Sequence, residues 1–177
     1  MKPPSTSRAI EPDTTDEPHL PGSVLATENP LVGVLVDQVE RRLVALQSIA
    51  PGVVLFRIEG FETRTPTRHS LQVGRDRHLD QRGARDATDR VRRFYWRYMN
   101  HACDPTTRVV DGEVIALRAI APGDAITFDY NTTEEDLAEP FRCHCGASAC
   151  VGVVRGARHL TPDQRARLEP LLPDYLR

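Results

Sequence analysis

The chain has 177 residues, of which 40% are hydrophobic and 27% charged, and its formal net charge is −2. That suits one globular domain with its own core plus short appendages, and it carries no basic footprint for nucleic acid. No apolar run approaches the ~20 residues of a membrane span, and the first thirty residues lack the apolar stretch of a secretory signal.

A cytoplasmic setting with reduced thiols is therefore expected. There the four cysteines read as metal ligands rather than disulfides. Lys2 is the only lysine, and every other basic side chain is arginine. This composition points to a GC-rich, bacterial source.

Residues 1–28 carry five prolines and many small polar residues, so they are expected to form a flexible tail. Ordered structure is expected from about Leu31, with LVGVLV and RRLVALQ as short strands. An internal echo follows. ALQSIAPGVV starts at Ala45 and ALRAIAPGDA at Ala116. Each reads as an apolar strand, an Ala-Pro-Gly turn and a second strand. Pro at the second and Gly at the third turn position suit a type II turn, so two similar hairpins are expected.

Between them, Arg68 to Gly74 reads as a strand, residues 75–90 as a charged loop, and Val91 to Met99 as a short helix. Thr106 to Val110 and Glu113 to Ala119 form a hairpin across Asp111-Gly112. Ala125 to Asn131 alternates like a strand. Near the end, Thr161-Pro162-Asp163-Gln164 has the caps of a helix start, and Pro170 should keep that helix short.

Three motifs carry chemistry. The first is Cys143-His144-Cys145, followed by Cys150. Zinc favours tetrahedral thiolates, a C-x-C pair can place two sulfurs on one ion, and Gly146 lets the chain turn back. Cys103 supplies the fourth sulfur. His144 is the alternative ligand, and reduced structural thiols without metal are the blander one. The second motif is Arg97-Tyr98-Met99-Asn100-His101, running into Cys103. Alone it reads as a helix end and a polar turn. The third is Phe128-Asp129-Tyr130, which alone reads as core aromatics.

In this order and spacing, the three motifs closely resemble the SET-domain protein-lysine methyltransferases that carry a post-SET zinc segment. The resemblance spans about residues 31–155 and is most specific over 97–150. It implies a mostly β fold of short strands in small sheets with few short helices. The SET domain would run 29–131, the post-SET zinc segment 139–155, and a C-terminal helical segment 156–177.

The implied function is transfer of methyl groups from S-adenosylmethionine to a lysine amine of a protein or peptide, without nucleic acid or membrane as partner. Asn100 and His101, preceded by Arg97, would hold the adenine end of the cofactor, with Val153 and Val154 packed near it. Tyr130 would be the catalytic tyrosine. Phe128 would line the lysine channel and set how many methyls fit, with Tyr98 alongside. Cys103, Cys143, Cys145 and Cys150 would hold a structural Zn2+. The chemistry needs no metal, because a sulfonium methyl is already activated and the protein mainly aligns the reactants.

One stretch departs from the family. A glycine-rich G-x-G usually opens the cofactor site, and Glu40-Arg41-Arg42 stands there before Leu43. Glycines allow positive φ and close backbone approach. Arg42 is a candidate partner for the cofactor carboxylate, a surface salt bridge being the alternative, and Leu43 belongs to the same segment. The loss of both glycines leaves a second function open: a non-catalytic SET-like module that binds a peptide along a strand edge.

Overall fold

A computed structural model describes residues 22–38 and 40–177. Its elements in chain order are β1 (Val24–Ala26), β2 (Val32–Val36), β3 (Arg41–Ala45), β4 (Val54–Arg57), β5 (Phe61–Thr63), β6 (Leu71–Gly74) and β7 (Arg77–Asp80), then α1 (Ala87–Arg93). After a 3-10 turn at Tyr95–Tyr98 come β8 (Asn100–His101), β9 (Thr107–Val110), β10 (Glu113–Ala116), β11 (Thr127–Phe128), β12 (Phe141–Arg142), β13 (Val153–Val154) and α2 (Pro162–Leu168). The strands make five small sheets, ordered β1-β2-β3, β5-β7-β6, β4-β10-β9, β8-β11 and β12-β13. The fold is mostly β with few short helices, as the sequence indicates.

The apolar run of β2 has a direct cause. Val32 and Val34 are fully buried, as is Leu43, which stands opposite Val34 in β3. These residues belong to the main core, together with Phe94, Trp96, Met99, Ile126 and Phe128. That core sits directly behind the residues of the second and third motifs.

The two Ala-Pro-Gly turns form as expected. Gly52 has φ +81 and Gly123 φ +87, and Val53 N–H and Asp124 N–H donate back to Ala50 O (3.3 Å) and Ala121 O (3.1 Å). The two separate hairpins do not form. The copies pair with each other instead. Ile49 and Ile120 exchange both backbone bonds, at 2.9 and 3.0 Å. Gly52 N–H donates to Ala116 O and Gly123 N–H to Ala45 O, each at 2.8 Å. Each turn is thus closed by the other copy, an internal pseudo-two-fold relation.

Other boundaries move as well. Of the tail expected over 1–28, residues 1–21 lie outside the described residues, while Val24–Ala26 are an edge strand paired with β2. The stretch 75–90 is not a loop. It holds β7, the middle strand of its sheet, and the start of α1. The buried Asp80 of β7 accepts from Thr67 Oγ1 and Arg82 N–H, each at 2.8 Å, which satisfies a carboxylate that burial would otherwise penalise. Asp86 caps α1 by accepting from Asp89 N–H at 2.7 Å, so the helix starts before Val91 and gives way to a 3-10 turn at the aromatic residues. The strand expected over 125–131 keeps only Thr127–Phe128, because Asp129 accepts from Asn131 N–H and turns the chain into a 3-10 turn. The last helix has the full capping box between Thr161 and Gln164, with Pro162 in its first turn.

Candidate functional site

Two short strands build the site. β8 and β11 run parallel, with Asn100 opposite Thr127 and His101 opposite Phe128. This ladder joins the second motif to the third, which lie far apart in the chain. Ala102 N–H extends it by donating to Phe128 O at 3.1 Å. The ladder opens on a cleft of about 840 Å³, within the usual range for small-molecule sites. Its lining includes Phe128, Tyr130, Met99, Asn100, Trp96 and Arg97. Leu137, Pro140 and Phe141, from the segment leading into the cysteine cluster, line it as well.

Tyr130 is held on three sides. Its hydroxyl donates to Met99 O at 2.8 Å. Its ring lies 4.7 Å from that of Phe128 and 5.9 Å from that of Phe141, centroid to centroid. Its backbone N–H donates to His101 Nδ1 at 3.2 Å. Burial, with the nearby Glu134 and Glu40 carboxylates, raises the phenol well above its usual range, so Tyr130 stays neutral.

The His101 ring is almost entirely buried, its side chain 2% exposed. Burial lowers its pKa, partly opposed by Asp129, so the ring is neutral. Since Nδ1 accepts from Tyr130, the remaining proton sits on Nε2, which faces Cys103 Sγ at 3.2 Å. The resemblance gave this residue to the adenine end of a cofactor. The ring bridges Tyr130 and the cysteine cluster, and His101 also lines the cleft.

Cys103, Cys143, Cys145 and Cys150 place their Sγ atoms within 4.8 Å of one another, and Cys103 Sγ lies 3.9 Å from Cys143 Sγ. Thiolates ~2.3 Å from a tetrahedral ion stand ~3.8 Å apart, so the cluster fits a metal ion. His144 is not in the cluster. Backbone N–H groups of Val151, Cys145 and Gly152 point at the sulfurs of Cys103, Cys143 and Cys150, at 3.4 to 3.5 Å. Such donors disperse thiolate charge around a bound cation. Burial raises the Cys143 thiol to about 11; a bound cation reverses this, since a coordinating thiol is deprotonated.

The remaining expected residues divide. Arg97 lines the cleft, and its Nη1 donates to the Tyr98 hydroxyl at 3.2 Å. Its buried Nε has no partner, an orphan donor suited to an anionic ligand. Tyr98 is buried in the core and does not line the cleft. Arg42 points elsewhere, 4.0 Å from Asp37 and well exposed, which makes it the surface salt bridge. Leu43 is core. Val154 is fully buried against Cys103 and Cys143, and Val153 is exposed; neither lines the cleft. Arg42 has an ordinary negative φ and pairs with Leu35 in a regular ladder. The backbone does not need glycine at Arg42.

Sequence reasoning missed three participants. Phe141 stacks edge-on with both Tyr130 and His101. Asn131 is buried, with its Oδ1 accepting from Gly156 N–H at 3.0 Å. Gly156 has φ +109, and a Cβ there would meet Glu135 O at 2.7 Å, so only glycine lets the C-terminal segment cross so closely. Glu134 is a buried carboxylate in the cleft wall. Phe141 lies two residues before the cysteine pair and could have been suspected. The other two carry no local signal.

Residues 40–131 match the SET domain family. A methyltransferase of Aspergillus flavus, flvH, is 33% identical over 45% of this chain and 48% of its own length. The histone-lysine N-methyltransferase Set2 of Drosophila melanogaster is 33% identical over 55% of this chain and 4% of its own. The chain thus spans about half of the first relative and a small part of the second. Among solved structures, KRYPTONITE in complex with mCHH DNA, an H3(1-15) peptide and SAH superposes with a TM-score of 0.52 at 16% identity, over 68% of this chain and 29% of that one. KRYPTONITE with mCHG DNA and SAH gives 0.50 at 19% identity, over 64% and 26%. With more than half of its residues matched by one family, and with a fold of the same kind, this chain belongs to the SET-domain family.

Proposed function

We propose that this chain is an S-adenosylmethionine-dependent protein-lysine N-methyltransferase, with a zinc ion as a structural tie. The observation that carries the reading is the parallel ladder that sets Asn100 and His101 beside Phe128 and Tyr130 at the wall of one cleft. The family match and the named activities of the relatives support it. The cleft volume and the orphan donor of Arg97 fit a ligand with a carboxylate and a large flat ring. The four-sulfur cluster favours zinc over hard, oxygen-seeking cations. We assign the SET body to residues 22–131, the zinc segment to 139–155 and the C-terminal clasp to 156–177.

S-adenosylmethionine supplies an activated methyl group on a sulfonium. The residues of this chain do the rest. Asn100 and the main chain of His101 border the adenine end, and Arg97 receives the carboxylate. Phe128, Tyr130 and Phe141 form aromatic walls that exclude water and receive a cationic lysine or methyl-lysine through their ring faces. The Tyr130 hydroxyl is committed as a donor to Met99 O, so its free lone pairs accept from the substrate amine and orient it. Phe128 has no hydroxyl to hold a water, which leaves room for more than one methyl group.

Methyl transfer from labelled S-adenosylmethionine to a lysine-rich protein mixture tests the reading. Incorporation by the wild type on lysine, with more than one methyl by mass spectrometry of a substrate peptide, is expected. No incorporation together with no cofactor binding leaves the non-catalytic module.

A further inference from the structure

The substrate amine must lose a proton before it can attack, and the reference pKa of lysine is ~10.4. Tyr130 is a poor acceptor for that proton, since it is neutral and already donates to Met99 O. His101 is closed off on both ring nitrogens, by Tyr130 N–H and Cys103 Sγ. Glu139 sits at the rim, exposed and 3.7 Å from Arg68. Glu40 is exposed as well. One carboxylate of the cleft wall is buried, and it is Glu134.

Its position is fixed. Glu134 lies one turn beyond Tyr130, with its own N–H donating to Tyr130 O at 3.0 Å. Oε1 accepts from Gln72 N–H on β6 at 2.7 Å. Oε2 lies 3.7 Å from Nε2 of the buried His78 on β7, beyond hydrogen-bond length. From this geometry, and resting on the methyltransferase reading above, we propose that Glu134 is the proton acceptor that discharges the substrate lysine.

The surroundings suit the task. Burial pushes the Glu134 carboxyl up to about 7, with the Gln72 N–H pulling the other way. His78 faces it from β7, and burial keeps that ring neutral despite a contribution from Asp76. Tyr130 and Tyr175 are the other titratable neighbours. Tyr175 reaches in from the C-terminal segment, its hydroxyl 2.9 Å from Gln72 O and 3.0 Å from Thr133 O, and burial holds it protonated. Glu40, the other carboxylate acting on Tyr130, carries like charge. No fixed cation among these opposes the shift. An acceptor near 7 removes about half of the pKa gap that an ordinary glutamate at ~4.3 would face against lysine at ~10.4. Desolvation of the ammonium among the aromatic rings narrows the rest.

The step balances. An ammonium N–H bond breaks and an O–H bond forms on Glu134. The freed nitrogen lone pair forms the new C–N bond as the methyl C–S bond of the sulfonium donor breaks, and that electron pair stays on sulfur. The product leaves as a methylated ammonium, and the proton on Glu134 returns to solvent when the cleft opens.

Glu134→Gln keeps an oxygen for the Gln72 N–H but cannot take a proton. The pH profile of methyl transfer is measured for wild type and variant, with calorimetry of S-adenosylhomocysteine binding on both. The wild-type rate should rise through about pH 7. The variant should bind S-adenosylhomocysteine as wild type does, lose that inflection, and fall roughly 100-fold at neutral pH. The gap should close as the pH approaches that of free lysine. Glu134→Asp should retain part of the rate and the inflection. An active variant with the wild-type profile overturns the proposal and leaves the methyltransferase reading standing. A wild type that neither binds S-adenosylhomocysteine nor transfers methyl overturns both. Carbon-13 titration of the glutamate carboxyls in the wild type serves should the variant not fold. A midpoint near 7 is expected for one carboxyl, and ordinary midpoints for all of them overturn the proposal.

Discussion

Two parts of the cleft lining carry aromatic rings held in different ways. On the core side Tyr130 is fixed by a hydroxyl bond to Met99 O, a backbone bond to His101 and a parallel ladder between strands distant in sequence. On the side of the cysteine segment, Phe141 is partly exposed on a two-residue strand that pairs with β13, next to Cys143 and Cys145. The first ring is positioned by the folded core. The second depends on the cysteine cluster, whose residues bury only a small satellite group with Val154. One side should therefore survive perturbations that undo the other.

Loss of the metal should have the largest effect. Cys103→Ser leaves three thiolates, removes the partner of His101 Nε2, and detaches the 137–155 segment from the core. Structural zinc contributes about 10 kcal/mol or more to small metal-dependent folds, far more than the burial of this cluster. Metal content should fall well below one per chain. Proteolysis should cut within 140–152 while the strands of the main core stay protected in hydrogen exchange. Cys145→Ser should do the same. Uniform loss of protection across β2 and β3 would mean that the cluster supports the whole domain and that the two sides are not independent.

The Glu134 wall should show next, as a pH effect on stability. A carboxyl whose folded pKa is about 7 binds its proton more tightly folded than unfolded. Its contribution is complete below the unfolded value near ~4.3 and is lost as pH rises through the folded value. Between about pH 4.5 and 7 this group alone should cost about 3 kcal/mol of stability. Urea unfolding at pH 5 and pH 8 on wild type and Glu134→Gln measures it. The variant should show a flatter dependence, and equal slopes would mean that water reaches this carboxylate.

Tyr130→Phe tests the fixed side directly. It removes one hydroxyl bond, worth about 1 kcal/mol of stability, and keeps the ring contacts with Phe128 and Phe141. Metal content and fold should hold. Turnover should fall roughly 100-fold, the scale for losing one oriented polar group at a reacting centre, with little change in cofactor affinity. Equal incorporation by both proteins would remove the hydroxyl from the mechanism.

What the sequence made legible was mostly local chemistry. The Pro-Gly turns, the Asp111-Gly112 hairpin and the Thr161 capping box depend on φ preferences and hydrogen bonds within a few residues, and all three form. The cysteine set was legible because thiols are few and their spacing is restrictive. Partner choice was not legible. Nothing in ALQSIAPGVV says that its strand will close against ALRAIAPGDA rather than upon itself, since both pairings satisfy the same backbone groups. What the His101 ring does was not legible for a related reason. Its role is set by two groups, Tyr130 N–H and Cys103 Sγ, that meet only after β8 and β11 pair. Val154 packs on the metal cluster rather than in the cleft, because β13 pairs with β12, and Val153 is exposed.

The smallest effect should come from the segment that looked most damaged in sequence. Glu40-Arg41-Arg42 replaces glycines, and a backbone that needed positive φ there would be strained by every side chain it carries. The strand is not strained at Arg42. That residue has negative φ and lies opposite Leu35 in an unbroken ladder that runs from Val36-Arg41 to Val32-Ala45. The Arg42 guanidinium sits 4.0 Å from Asp37, with both groups open to water. An exposed pair of that length contributes about 0.5 kcal/mol at most. Arg42→Ala should therefore leave stability within about 0.5 kcal/mol of wild type and cofactor affinity within about twofold, measured by calorimetry with S-adenosylhomocysteine. A tenfold loss of affinity, about 1.4 kcal/mol, would show that Arg42 turns from Asp37 toward the ligand when the cleft is filled. That result would move the carboxylate contact from Arg97 to Arg42 and make this strand part of the cofactor site.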